Sequence, residues 1–411
     1  QKKLGTYVGN WDDPVVAVHS YKHNSGILLG NETPGVLKRT AYNTTHNNVE
    51  IGLTHKDQNY PFRKYIKSGE QWTSPFSFVI PYVDSCDPWK IMNTSLADFV
   101  RRHMGLRIYE TKSRPLMMYN NYYPFHDRFN DSLIIELARE ASKVGVSHFT
   151  LDCGWYTNHD NIGKKVSWIN NLGDYIVDKE KFPNGLKPVF DEIRRLGMEP
   201  GLWISIGSAA KTSKVLQDHP EWAARDQQGA LVNLHGSHPE GDQWTMCLGT
   251  EWKKYIKETI LELVRELSLG YVKLDLSIVT SAYTTDPEHS GCYATNHPYH
   301  KDHKESLIVI YERLFELFDE LHDEAPDLYI DCTFETAGKL QLIDYAFCQH
   351  AEGNWLTNIG EPFPVGAFRI RNLAWWKSPV IPASSLISLL HASRKFSPDC
   401  IFPPPHSHFS G

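Results

Sequence analysis

Asp131-Ser132-Leu133-Ile134-Ile135-Glu136-Leu137-Ala138-Arg139-Glu140-Ala141-Ser142-Lys143-Val144-Gly145-Val146-Ser147-His148-Phe149-Thr150-Leu151-Asp152 reads as a helix handing over to a strand. Leu133, Ile134, Leu137, Ala138 and Ala141 fall on one face, which predicts an amphipathic helix over 131–144. His148–Leu151 is then a short apolar strand ending in an acid. The same alternation runs outward in both directions. Further strands are expected at Leu116–Tyr119, Pro200–Ile204, Tyr271–Leu274, Leu328–Ile330 and Ile343–Phe347, and amphipathic helices at Glu251–Leu267 and Glu305–His322. Alternating strands and helices imply a parallel sheet, and this many units favours a (β/α)8 TIM barrel, an α/β fold, over an open sheet.

Before that region the pattern is different. Pro14–Val18, Asn48–Leu53 and Phe76–Tyr82 are β-branched or aromatic runs separated by Gly, Asn, Asp and Pro, as in part of an antiparallel β-sandwich. A short helix is expected over Ser95–Met104, with Ala97, Phe99 and Val100 apolar. The 411 residues are 41% hydrophobic and 22% charged, enough for a large core. Net charge is −7 with no basic block, which argues against nucleic acid as a partner. No run approaches 18 consecutive apolar residues, so no membrane span is expected. Seven cysteines without a CxxC exclude a zinc ribbon and a thioredoxin-type pair. The compartment stays open, with a secreted or periplasmic location ahead of a cytoplasmic one.

A barrel carries its chemistry at strand C-termini. Read that way, Asp152, Asp275, Asp331, Glu335 and Glu352 gather at one rim, beside Trp155, Trp203 and Trp355. Such acids and indoles suit a sugar-cleaving site, and 12 Trp, 20 Tyr and 18 Phe suit rings that stack on flat, hydroxyl-rich ligands. The plainer reading is that some of these acids cap helices or pair with Lys and Arg. His297, His300 and His303 have a spacing tempting for a metal, but they lie in a Tyr/Pro/Asn-rich loop with no matching acid motif. No metal or other cofactor is expected. GxGxxG, GxxxxGK[ST], HExxH and GxSxG are all absent from the sequence.

Five stretches occur in a specific order: Phe149-Thr150-Leu151-Asp152-Cys153-Gly154-Trp155-Tyr156, Leu172-Gly173-Asp174-Tyr175 through Phe182-Pro183-Asn184-Gly185-Leu186, Gly197-Met198-Glu199-Pro200-Gly201-Leu202-Trp203, His219-Pro220-Glu221-Trp222, and Tyr271-Val272-Lys273-Leu274-Asp275. In that order and spacing the chain resembles the α-galactosidases related to raffinose synthases, glycoside hydrolase family 36, over residues 110 to 360. The resemblance implies an N-terminal β-sandwich, a catalytic (β/α)8 barrel and a C-terminal β-domain. It places residues 1–110 in part of the sandwich with a linker helix and 111–411 in the barrel, expected to be incomplete at its C-terminal end. A chain opening on Gln1 and running into Cys400-Ile401-Phe402-Pro403-Pro404-Pro405 is accordingly expected to be a fragment.

The resemblance further implies a retaining exo-α-glycosidase acting on terminal galactose or a related sugar such as N-acetylgalactosamine. Asp275 matches the nucleophile and Lys273 a lysine that binds ring hydroxyls. Glu352 falls at the general acid/base, where the family has Asp, with Glu335 next in rank and Glu361 behind it. Asp152 and Asp174 would hold hydroxyls, and Trp155, Trp203 and Tyr175 would form apolar walls. Four further departures reshape the sugar pocket. Cys153 replaces one of two paired aspartates, Thr333 replaces a cysteine, Glu335 falls where relatives have a glycine-rich loop, and Tyr175 stands where they have a stacking Trp. An oligosaccharide or glycoconjugate is the expected partner, with a homo-oligomer as a further expectation. A raffinose-synthase-like transglycosylase and a weakened carbohydrate-binding relative are the alternatives.

Overall fold

The computed structural model describes residues 7–9, 14–43, 48–53, 60–112, 117–233, 243–275, 290–332, 344–355, 368, 371–372, 374–375 and 377–387. Six strands come first: β1 (Tyr7–Gly9), β2 (Val15–Ser20), β3 (Ser25–Asn31), β4 (Lys38–Asn43), β5 (Asn48–Leu53) and β6 (Ser77–Tyr82). They pair as two antiparallel sheets, β1-β4-β5 and β2-β3-β6. Helix α1 (Pro88–Ile91) runs through a π turn into α2 (Ala97–His103), where the linker helix is expected.

A parallel sheet follows, built from β7 (Met118–Asn120), β8 (His148–Leu151), β11 (Glu199–Ser205), β14 (Tyr271–Asp275), β15 (Tyr329–Cys332), β16 (Gly353–Trp355) and β17 (Leu386–Ile387). Between these come two short hairpins, β9 (Tyr156–Thr157) with β10 (Ile176–Val177) and β12 (Ser208–Ala210) with β13 (Gln243–Thr245). The order β7-β8-β11-β14-β15-β16-β17 follows the chain and every pair is parallel, the connectivity of a (β/α)8 barrel. Seven of its strands lie among the described residues.

The covering helices form where the hydrophobic period expects them. After α3 (Tyr122–Phe125), α4 (Asp131–Lys143) starts at Asn130, whose side chain accepts from the Leu133 N–H at 3.0 Å. It buries Ile134, Ala138 and Ala141. Next come α5 (Lys187–Arg195), α6 (Lys214–Asp218), α7 (Trp252–Leu267) and α8 (His303–Glu324). Asp302 caps α8 by accepting from the Glu305 N–H at 3.0 Å, while Glu305 reaches back to the Lys301 N–H at 2.8 Å. Leu307, Leu314, Leu317 and Leu321 of α8 are fully covered in the core.

Three expectations need correction. Ile343–Phe347 is not a strand: Asp344 accepts from the Phe347 N–H at 3.1 Å and starts a helix, α9 (Tyr345–His350). The strand is β16, which follows it. A five-residue apolar run cannot be assigned by period alone, and here the cap decides. The strand expected at Leu328–Ile330 is shifted to Tyr329–Cys332, so Asp331 lies within it rather than after it. Ser384–Ser393 reads from its sequence as a helix, but the segment begins as a 3-10 turn, Ala383–Ser385, and the edge strand β17, paired with β16; residues 388–393 lie outside the described residues.

Asp344 also ties the N-terminal strands to the barrel. Its Oδ2 accepts from the Gly35 N–H at 2.5 Å and faces Lys38 Nζ at 4.0 Å, with both side chains fully buried.

Candidate active site

Side chains alternate across a strand, so every second residue of the parallel sheet shares one face. The register sets Trp203 beside Lys273 and Lys273 beside Asp331, with Ser205 beside Asp275 one layer nearer the C-terminal ends. Contacts across this interior confirm the alternation. Trp203 Nε1 donates to Asp275 Oδ2 at 2.8 Å. Lys273 Nζ is 3.0 Å from Asp152 Oδ2 and 4.4 Å from the centroid of the Trp355 ring.

Asp275 is the last residue of β14, and its carbonyl accepts from the Ile206 N–H at 3.0 Å. That places a carboxylate at the rim with its backbone fixed and one oxygen oriented by an indole. Asp152, just past β8, is held more tightly. Asn120 donates to its Oδ2 at 2.6 Å, its own neighbour Cys153 donates N–H to Oδ1 at 2.9 Å, and its N–H donates to Asn121 Oδ1 at 2.8 Å. Asn120 and Asn121 escape a search for charged residues. Their signal is position, since they close β7 at the same end of the sheet.

The aromatic residues divide. Gly154 adopts φ 102°, and a Cβ there would come within 2.6 Å of Asp127 Cβ, so the chain can turn sharply after Asp152 only with glycine. The turn sends Trp155 behind Trp203, where its Nε1 donates to the Trp203 carbonyl at 3.0 Å. Tyr175 stacks on Trp155 at 6.0 Å and donates its hydroxyl to the Ser205 carbonyl at 2.5 Å. Both are buried supports of Trp203 rather than the expected pocket walls. Asp174 is likewise engaged: His159 and Lys214 N–H groups donate to its Oδ2 at 3.1 and 2.8 Å, and the Val215 N–H to Oδ1 at 3.0 Å. It clamps two loops. Thr333, Glu335 and Glu361 lie outside the described residues.

Glu352 is the main correction. Gly353 pairs with Asp331, so Glu352 lies level with Ile330, at the N-terminal side of the sheet. That is three residues, about 10 Å of strand, below the layer of Asp275. Its Oε2 accepts from the Ile330 N–H at 2.9 Å, and its Oε1 lies 3.1 Å from His322 Nε2 and 3.3 Å from Arg107 Nε. The residue is a completely buried anchor for α8 and the segment after α2, on the wrong face and the wrong end to protonate a leaving group at Asp275.

Two more titratable groups lie in this interior, Asp331 level with Lys273 and His148 nearer the N-terminal ends of the strands. Asp331 is pushed up to about 7 by burial, against the lowering hydrogen bond from the Tyr271 hydroxyl (2.5 Å) and the charge of Lys273. His148 is pushed down to about 4 by burial. The signs oppose. Folded Asp331 keeps its proton above the unfolded value of 3.8, so its contribution to stability falls as pH rises from about 4 to 7. Folded His148 stays neutral where the unfolded chain binds a proton below 6.5, so its contribution rises from about pH 4 to 6.5. Each slope is about 1.4 kcal/mol per pH unit and they offset one another. Asp331→Asn is therefore expected to melt with a steeper upward trend than wild type between pH 4 and 6.5. Parallel melting profiles would refute the assignment.

The comparisons with known proteins agree with this architecture. A family model described as Melibiase matches residues 76–393. Alpha-galactosidase AgaA of Geobacillus stearothermophilus is 25% identical over 234 residues, covering 56% of this chain and 29% of the relative. An alpha-galactosidase of Escherichia coli is 28% identical over 220 residues, covering 53% and 28%. The crystal structure of a single-substitution variant of AgaA with 1-deoxygalactonojirimycin superposes with a TM-score of 0.70 at 20% identity, over 92% of this chain and 48% of that one. The galactosidase domain of the alpha-galactosidase–sucrose kinase AgaSK gives 0.70 at 20% identity, over 93% and 49%. The chain thus spans about half the length of these solved structures, and its alignments cover under a third of the curated relatives. At these identities the structural likeness carries the fold.

Proposed function

The chain belongs to the melibiase family, glycoside hydrolase family 36, and we propose that it cleaves a terminal α-linked galactose, or a related sugar, through a covalent glycosyl-enzyme on Asp275. The observation that carries this reading is the carboxylate of Asp275 at the C-terminal end of β14, oriented by the Trp203 N–H at 2.8 Å. An Asp275 oxygen attacks the anomeric carbon as the bond to the aglycone oxygen breaks and that oxygen takes a proton from an acid. The conjugate base then removes a proton from water, whose oxygen displaces Asp275 and releases the sugar with its α-configuration retained. Asp152, charge-balanced by Lys273 at 3.0 Å, would accept hydrogen bonds from ring hydroxyls beside Trp203. Solved structures of AgaA variants in complex with raffinose and with stachyose support this substrate class.

The acid is not Glu352. In chain order the carboxylates next beyond the C-terminal ends of β15 and β16 are Glu335 and Glu361, and we assign the proton transfer to one of them. The test is a panel of nitrophenyl α-glycosides assayed with Glu335→Gln, Glu361→Gln and Glu352→Gln. The true acid/base variant loses about 10²–10⁴-fold in turnover on substrates that need protonation. Glu352→Gln keeps its turnover per folded molecule but melts earlier, because Arg107 and His322 lose their buried partner. A Glu352→Gln enzyme that is folded and inactive would overturn the assignment.

The displacement of Glu352 from the rim also favours a second reading, a carbohydrate-binding relative with weakened catalysis. Sugar binding without turnover on any α-glycoside would select it. Product analysis with a sugar acceptor separates hydrolysis from transglycosylation.

A further inference from the structure

Two connections at the C-terminal end of the sheet meet in a buried cluster. Cys247 follows β13 on the way to α7, while Cys292, His297 and His300 lie on the connection that leaves β14 after Asp275 and enters α8. All four side chains are buried, and their Sγ, Sγ and ring nitrogen atoms lie within 4.8 Å of one another. Cys247 Sγ is 3.4 Å from His300 Nε2, Cys292 Sγ is 3.6 Å from His297 Nδ1, and the two ring nitrogens are 3.1 Å apart. With metal–sulfur bonds of about 2.3 Å and metal–nitrogen bonds of about 2.0–2.1 Å, tetrahedral zinc sets S···N edges near about 3.6 Å and N···N edges near about 3.3 Å. These three edges match those of a tetrahedral S2N2 site, and the remaining three lie within 4.8 Å.

We propose that Cys247, Cys292, His297 and His300 bind one zinc ion in a closed structural site that fastens the connection following Asp275 to the connection preceding α7. Two thiolates and two neutral imidazoles balance the charge of the ion, and four protein ligands leave no open position for substrate or water. The surroundings suit a thiolate pair. The Arg225 backbone N–H donates to Cys292 Sγ at 3.4 Å, and the Cys292 N–H is fixed by Ser306 Oγ at 2.9 Å. Arg313 of α8 donates to the Leu248 carbonyl at 2.6 Å, next to Cys247. His303, the third histidine of the same loop, is not a ligand: its ring stacks on Tyr293 at 3.9 Å and its Nε2 lies 2.7 Å from the Ser290 carbonyl. The proposal departs from the expectation of a metal-free chain: Cys247, from an earlier connection, completes the set that Cys292, His297 and His300 leave one ligand short. The site is independent of the role of Asp275.

The experiment measures metal content and cobalt substitution in the full chain. Protein purified without chelator should carry about one zinc per chain, which Cys292→Ser and His300→Ala each reduce below about 0.1, while His303→Ala retains it. Wild-type protein stripped by a chelator should melt at lower temperature and recover on adding zinc, a readout that holds if a cysteine variant fails to fold. Cobalt in the stripped protein should show the visible bands of tetrahedral thiolate coordination. Stripped and zinc-treated protein with one melting temperature and no bound metal, or a Cys247–Cys292 disulfide by mass spectrometry, would overturn the proposal.

Discussion

Asp275→Asn is expected to bind the sugar and fail to cleave it, with turnover down more than about 10³-fold. Asparagine has the same shape, and its amide oxygen can still accept the Trp203 N–H that now reaches Asp275 at 2.8 Å. The pocket therefore keeps its geometry while losing the only property that the substitution removes, a negatively charged nucleophile. A loss of that size corresponds to about 4 kcal/mol of transition-state stabilisation, too much for a displaced hydrogen bond alone. Asp275→Gly adds a sharper readout. With the side chain gone, azide can enter its place, attack the same carbon and yield the β-glycosyl azide, the opposite configuration from the normal product. Near-wild-type turnover of Asp275→Asn, or an α-configured azide product, would remove Asp275 from the mechanism.

The second large effect concerns Lys273. Its ammonium and the Asp152 carboxylate are 3.0 Å apart with 4% and 2% side-chain exposure. Water screens neither charge, so Lys273→Met leaves the Asp152 carboxylate buried without its countercharge and should destabilise the chain by about 3–5 kcal/mol. Asp152→Asn in the same chain removes the stranded charge and should recover much of that loss. The double variant then separates structure from chemistry: it folds, and yet its KM for the glycoside rises, because both charged hydroxyl ligands are gone. Additive melting shifts in the two single variants would show that the pair is not coupled.

These effects rest on residues that differ in how legible they are in the chain. Asp275, Lys273 and Trp203 stand at or near the ends of strands whose apolar runs are flanked by strong helices, so their position follows from period and connectivity. Asp152 follows for the same reason. Glu352 does not, because Ile343–Phe347 is as compatible with a buried helix as with a strand, and one wrong element moves the next acid to the wrong end of the sheet. The side-chain hydrogen bond from Asp344 that starts α9 is a local signal, but its weight depends on the Phe347 N–H being left for it by the surrounding packing. Trp155 and Tyr175 are legible as aromatic residues near the rim, whereas their burial behind Trp203 depends on the turn at Gly154. The Cys247–Cys292–His297–His300 cluster joins two connections that no spacing rule links, since the contact exists only once β11 and β14 lie side by side.

The double duty of Asp344 has a consequence for dividing the molecule. One carboxylate both starts α9 and faces Lys38 from the N-terminal strands, and burial alone would hold its pKa above the ordinary aspartate range. Cutting the chain near residue 110 would strand that charge, and it would also strip the Val36 N–H from the Tyr311 hydroxyl in the middle of α8. The change of pattern at that point marks a change of architecture, yet buried contacts from Gly35, Val36 and Lys38 to Asp344 and Tyr311 run across it.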